Sequence, residues 1–400
     1  SISVGTGGMG DGGGINIQGK NLSFQGAADL QANATGDGNG GTILIRADNI
    51  LAGSGLSMSA NGSGFGFGGN IFVGGQSGAE SSIDGGGSLQ ASANGGQWGN
   101  GGGIFLVETD ALLLSDVGVT VSRVNTDGTV TAASHAVQSD VVTTAANGAI
   151  VLVTGGNLTL ADGTSNAGGT AVSAHGTGAI LLAATGALAL DAHVTSASGH
   201  ITLLATGTLA LAADVTTAAS VNLEANLITA TTGADVTAGS DIRFVSATDL
   251  VLGGVLTTPA NVSLTATAGS ITDADTDNTV DIVASGLRVV AGLGFGTASN
   301  RIDTTIATFT ARATSGGIHL SETTALTVGT VSATVSRVNA DATLTVVTDG
   351  AQSGVATTSG DGAIALATLG GSLTIATAVT AHGSGTVTLT TAGAGSDLSL

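Results

Sequence analysis

The chain has 400 residues, of which 42% are hydrophobic, 9% charged and 2% aromatic, with 67 Gly, one Pro, no Cys and a net charge of −20. Its eight basic residues (Lys20, Arg46, Arg123, Arg243, Arg288, Arg301, Arg312 and Arg337) are scattered along the sequence, which leaves no patch to neutralise phosphates and excludes nucleic acid as a partner. The lack of Cys rules out disulfides and thiolate metal sites. With no apolar run of 18 residues a spanning helix is excluded, and with no Tyr and one Trp the aromatic girdles of a membrane barrel are missing.

Residues 1–103 carry a recurring opening: Gly-Gly-Gly-Ile-Asn-Ile at 12–17, Gly-Gly-Thr-Ile-Leu-Ile at 40–45, Gly-Gly-Asn-Ile-Phe-Val at 68–73 and Gly-Gly-Gly-Ile-Phe-Leu at 101–106, spaced by 28, 28 and 33 residues. Between them a second phrase recurs, beginning at Leu30, Leu56 and Leu89. This predicts long solenoid coils, each with a Gly-rich loop; Phe65, Phe67 and Trp98 sit in those loops, where they pack on their own coil or contact a neighbour.

Residues 104–154 and 318–368 align without gaps at an offset of 214, with about half the positions identical, including Thr-Val-Ser-Arg-Val-Asn at 120–125 and 334–339. Ala-His-Gly recurs at 174–176 and 381–383, so His175 and His382 read as repeated corner residues. The division is therefore 1–103 as a Gly-rich long-coil segment, 104–317 as one 214-residue unit, and 318–400 as the start of a second copy.

Within that unit, apolar anchors at Ile180, Ile201, Val221, Ile242, Val262, Ile282 and Ile302 are 20 or 21 residues apart. Leu188/Leu190, Leu209/Leu211 and Leu250/Leu252 form a second recurring pair, and Val194, Val215 and Val236 a third position. Apolar residues two apart within each segment are strand periodicity. Three short strands per coil, stacked about 4.8 Å from the next coil, would build continuous aliphatic ladders. The predicted fold is an all-β, right-handed parallel β-helix.

The Gly-Gly-x-Ile-x-Ile coils, the 20-residue coils such as Asp241-Ile-Arg-Phe-Val-Ser-Ala-Thr-Asp-Leu-Val-Leu, and the phrases Gly269-Ser-Ile-Thr-Asp-Ala-Asp, Ile302-Asp-Thr and Gly316-Gly-Ile-His-Leu resemble the filamentous haemagglutinin-like exoproteins of two-partner secretion systems and related giant bacterial adhesins. The resemblance implies a parallel β-helix, export through an outer-membrane secretion partner, a secreted location at the bacterial cell surface, and a role in adhesion or biofilm. No signal-peptide pattern follows Ser1, and the chain opens and closes within repeats, so it is expected to be a processed segment of a longer protein.

Candidate chemistry is sparse. Asp273, Asp275 and Asp277 alternate as in a Ca²⁺ loop, since hard cations want several close oxygens; the competing reading is a solvated acidic corner, because Asn278 and Ala284 stand where an EF-hand has Gly and Glu. No other cofactor is expected. The six histidines lack zinc-ligand spacing. Glycan hydrolysis needs two carboxylates at a set separation; Asp273, Asp275 and Asp277 could supply them, but in a chain with 28 acidic residues so could chance. The expectation is a non-enzymatic, structural or adhesive fibre segment whose partners are neighbouring repeats, further copies, or a glycan or cell-surface receptor. The alternative is a β-helical surface protein that binds or degrades polysaccharide, for which the Thr-rich phrase at 386–391 is the best residue-level hint.

Overall fold

The computed structural model describes residues 2–3, 11–24, 28–35, 38–52, 56–62, 69–74, 82–84, 89–92, 103–134, 137–144, 147–164, 168–275 and 278–400. Among these there is no helix, strands make up 57% of the chain, and long parallel ladders identify a parallel β-helix. Two compact units are present: Ser1–Gly186 with Asp191–Gly199 and Val338–Thr343, and Ala187–Leu190 with His200–Arg337 and Leu344–Leu400.

In the first unit the Gly-Gly-x-Ile openings stack as expected. Ile15, Ile43, Ile71 and Ile104 pair in register, and the ladder continues through Ile150 to Ile180. Ile43, Ile45, Leu56 and Met58 are fully buried in the core between these strands. The glycines have a mechanical reason. A Cβ on Gly40 would run into the Ala60 carbonyl, and one on Gly41 into that of Gly13, so successive coils turn this corner backbone against backbone. One expectation needs correction: Leu30 pairs with Met58, and Leu56 with Ala28 and Leu89. The Leu56 and Leu89 phrases align as expected, whereas the Leu30 phrase is two residues out of register, a slip that side-chain alternation hides because it keeps every residue on its own face.

The second unit shows three ladders. The first runs Ile201, Val221, Ile242, Val262. The second runs Leu188, Leu209, Ile228, Leu250, Ile271, and the third Val215, Val236, Leu256, Ile282. Here too the anchor series is corrected. Ile282 belongs to the third ladder, and the first continues from Val262 to Leu287 and Phe309. The cause is a change of coil shape: strands Ile282–Ala291 and Ile302–Ala313 run through a corner instead of stopping at it. The added width is filled by Phe295 and Phe309, both fully buried with ring centroids 5.9 Å apart. Each buried Leu, Ile or Phe contributes about 1.5–3 kcal/mol relative to an exposed one, and strands inside a ladder pair their backbone groups with the coils on either side.

Candidate functional site

The acidic corner follows strand Ile271–Asp273. Asp273 Oδ1 accepts the Asp275 backbone N–H at 3.0 Å, and Asn300 Nδ2 donates to the carbonyl oxygens of Asp275 (2.5 Å) and Asp273 (3.3 Å). These are the bonds of a capped corner. Asp277 lies outside the described residues. Among the described residues no three His, Asp or Glu side chains are grouped to hold a metal. Beside this corner lies a second pair, Asp281 and Asp303, both buried, with the Asp303 N–H donating to Asp281 Oδ2 at 2.8 Å. Burial pushes the Asp281 carboxyl up to about 8; the hydrogen bond from Asp303 opposes this, and the charges of Asp273, Asp303 and Asp275 reinforce it.

Five further carboxylates serve one structural task. Asp214 accepts the backbone N–H of Asp235, Asp235 that of Val255, Asp241 that of Asn261, Asp249 that of Ser270, and Asp361 that of Ser384. Each bond reaches from a corner to the equivalent corner one coil on, where no strand partner exists to satisfy the donor. Asn33 and Asn147 do the same for Asn61 and Thr177 in the first unit.

The histidines divide similarly. His175 and His382 occupy matching corners: their backbone N–H groups donate to Thr143 and Thr357 Oγ1, two residues that are themselves 214 apart. His200 Nδ1 lies 2.7 Å from Ser220 Oγ. His319 Nδ1 is buried with no hydrogen-bond partner, and burial, then the Arg301 charge, holds this imidazole below its ordinary range. The counterpart of His319 is Phe105, and both rings lie over a glycine, Gly317 and Gly103. His135, Phe65, Phe67 and Trp98 fall outside the described residues.

What the sequence pattern missed is a polar seam on the outside of the second unit. Thr202, Asn222, Arg243, Ser263, Arg288 and Thr310 are register partners forming one outward column. Over it lies a hairpin made of Thr330–Val338 and Leu344–Ser353. Arg243 donates from Nε to Asp349 Oδ1 (3.0 Å) and from Nη1 to Glu224 Oε1 (2.9 Å) and Asn222 Oδ1 (3.0 Å). Ser263 Oγ donates to Asp349 Oδ2 (2.6 Å), and Arg288 Nε to the Gly350 carbonyl (3.1 Å). The edge of the hairpin is tied down as well. The Thr334 N–H donates to Asp241 Oδ2, the Ser336 N–H to Ser220 Oγ, and Asn261 Nδ2 to the Ser332 carbonyl. Val331, Ala333 and Val335 are buried beneath it. The arginines that look scattered in sequence thus include two, Arg243 and Arg288, that share one column; their 45-residue separation spans two coils of unequal length, which conceals the alignment.

The exposed Thr-rich strand Val387–Thr391 is an ordinary member of the Ile318–Ile364–Val387 ladder. No family model, no curated protein and no solved structure matches the chain.

Proposed function

We propose that the chain is a structural and adhesive segment of a large secreted bacterial surface fibre, with the β-solenoid as its stiff element. The observation that carries the reading is the way polar side chains are used. Corner carboxylates cap the next coil, and the arginine column holds a hairpin to the coil stack, so that they serve to join coil to coil. The tandem 214-residue unit supports it further, since repeat stacks grow by adding units that contact only their neighbours. The second copy's hairpin lies across coils of the first copy, which binds consecutive repeats in a way that suits a load-bearing array. The resemblance to two-partner-secretion exoproteins supplies the export route and the cell-surface setting in this reading.

Electron micrographs of the native material test it. The expected result is filaments with an axial repeat of roughly 40–50 Å, the rise of one 214-residue unit at about 4.8 Å per coil. Compact monomeric particles would overturn it.

A further inference from the structure

The first hairpin, Thr120–Val124 with Val130–Ser134, is the counterpart of the one just described, 214 residues earlier. It keeps the same docking strand, Thr-Val-Ser-Arg-Val-Asn, and the same turn: Asn125 N–H to the Thr129 carbonyl, as Asn339 N–H to that of Thr343. Its surroundings differ. Val331 and Val338 are 4% and 1% exposed, whereas their counterparts Val117 and Val124 are 46% and 70% exposed. Arg337 meets Glu224 at 3.6 Å, whereas Arg123 is exposed. The Ser336 and Thr334 N–H groups and the Ser332 carbonyl are satisfied by Ser220, Asp241 and Asn261. Among the described residues, the matching groups of Ser122, Thr120 and Gly118 have no partner.

The gapless match to residues 318–368 begins at residue 104, so the anchors Ser220, Glu224, Asp241, Arg243, Ser263 and Arg288, which all precede 318, have no aligned counterparts upstream of the first hairpin. An open strand edge with outward N–H and C=O groups is a template for another strand. This one lacks the usual obstructions: residues 117–134 contain no Pro and no Lys, and their two charges, Arg123 and Asp127, cancel. Two copies of this segment meet without the like-charge repulsion expected elsewhere on a chain of net charge −20.

We propose that the Thr120–Val124 edge pairs with the same edge of a second copy of this chain. The register follows from the hairpin itself. Val121 and Arg123 face Ala133 and Thr131 across the hairpin, and the twin's side-chain-bound N–H groups at 334 and 336 mark 120 and 122 as the outward positions. A two-fold axis at Val121 then lets Thr120 of each copy exchange backbone hydrogen bonds with Ser122 of the other, making a four-stranded antiparallel sheet. Val117 and Val137, beside each other at the hairpin base and both exposed, add apolar area. The interface is small, so association is weak and concentration-dependent. This side-by-side pairing does not depend on the fibre reading: micrographs report axial continuity and sedimentation reports pairing at one hairpin, so either fails alone.

Analytical ultracentrifugation of the full chain, from micromolar to near-millimolar concentration, is the test. The weight-average mass should climb toward twice the monomer mass. V121K and V121E should each stay monomeric, because like charges would face each other across the axis, and an equimolar mixture of the two should recover the dimer. S122P, which removes the outward N–H without touching a hairpin bond, should also stay monomeric with an unchanged circular dichroism spectrum. A parent chain that is monomeric throughout, a V121K/V121E mixture that stays monomeric, or a dimer that survives S122P would each overturn the proposal. So would slow amide exchange at Thr120 and Ser122 in a monomer, which would mean that the hairpin folds onto its own coils.

Discussion

Gly128 and Ala342 occupy the same place in the two hairpin turns, and both have positive φ, 80° and 62°. Glycine adopts this region freely, whereas alanine bears a steric cost of about 1–2 kcal/mol there. Part of any gain from glycine is lost to its greater unfolded-state entropy. Ala342→Gly should therefore stabilise the chain by about 0.5–1 kcal/mol, and Gly128→Ala should destabilise it by a similar amount, both read from thermal unfolding; opposite signs would contradict the turn geometry. The buried Asp281 gives a pH signature. Its folded-state pKa is raised from 3.8 to about 8, so between those values the folded chain holds a proton that the unfolded chain has released. Stability from this group is fully present below about pH 4 and declines as pH rises, the loss being complete above about pH 8. Asp281→Asn keeps an oxygen to accept the Asp303 N–H and removes the titration. Its melting temperature should match the parent near pH 4 and exceed it increasingly toward pH 8, by an amount equivalent to roughly a few kcal/mol. A constant gap across that range would show that Asp281 does not change protonation on folding.

At the scale of the element, the second hairpin is held by groups from four consecutive coils of the stack, and Asp349 takes two of those bonds, from Arg243 and Ser263. Arg243 and Asp349 are each nearly buried, with side chains 13% and 14% exposed. Asp349→Ala would leave Arg243 with Glu224 and Asn222 only and Ser263 without its acceptor, at a cost of about 3 kcal/mol. The expected readout is faster amide exchange across Thr330–Val338, with Arg123→Ala in the first hairpin changing nothing comparable; equal responses would mean that the two hairpins are equivalent and the seam adds no grip. Nothing in Thr-Val-Ser-Arg-Val-Asn distinguishes the docked copy from the undocked one, because the difference lies in the receptor. Ser220, Asp241 and Asn261 are ordinary corner residues in the sequence, and only the register of the coils lines them up beneath residues 332–336. The ladders were legible because burial imposes a period on Ile201, Val221 and Ile242 that survives in one dimension. Ile282 kept the 20-residue beat while changing ladder, since a strand that runs through its corner moves the chain to another face without altering the spacing. The acidic corner is ambiguous in sequence for a related reason. Alternating Asp residues suit both a cation and a turn, and the Asn300 bond that ties this turn comes from 25 residues away.

At the scale of the molecule, a stack in which each coil touches only the coils before and after it should respond to damage locally, unlike a globular core where one cavity weakens everything together. Leu223 makes a clean test within the second unit. It is fully buried in the first ladder, paired with Leu203 on one side and Phe244 on the other. Leu223→Ala should cost about 2–5 kcal/mol. If nearest-neighbour contacts carry the stability, hydrogen exchange should accelerate first in Ile201–Ala205 and Ile242–Ser246 and remain slow in Ile364–Thr368, which has Ile318–Glu322 and Val387–Thr391 as its own neighbours. The hairpin complicates this in a useful way, because its bonds run from Ser220 and Glu224 to Arg288 and so couple coils that do not touch. Exchange in Asn261–Ala266 should therefore rise with that of Ile242–Ser246 more than a bare stack would allow, and combining Leu223→Ala with Asp349→Ala should abolish that coupling. Uniform acceleration over the whole second unit in the single variant would show that it unfolds as one cooperative block, and the view of the solenoid as a sum of coils joined by a strap would have to be abandoned.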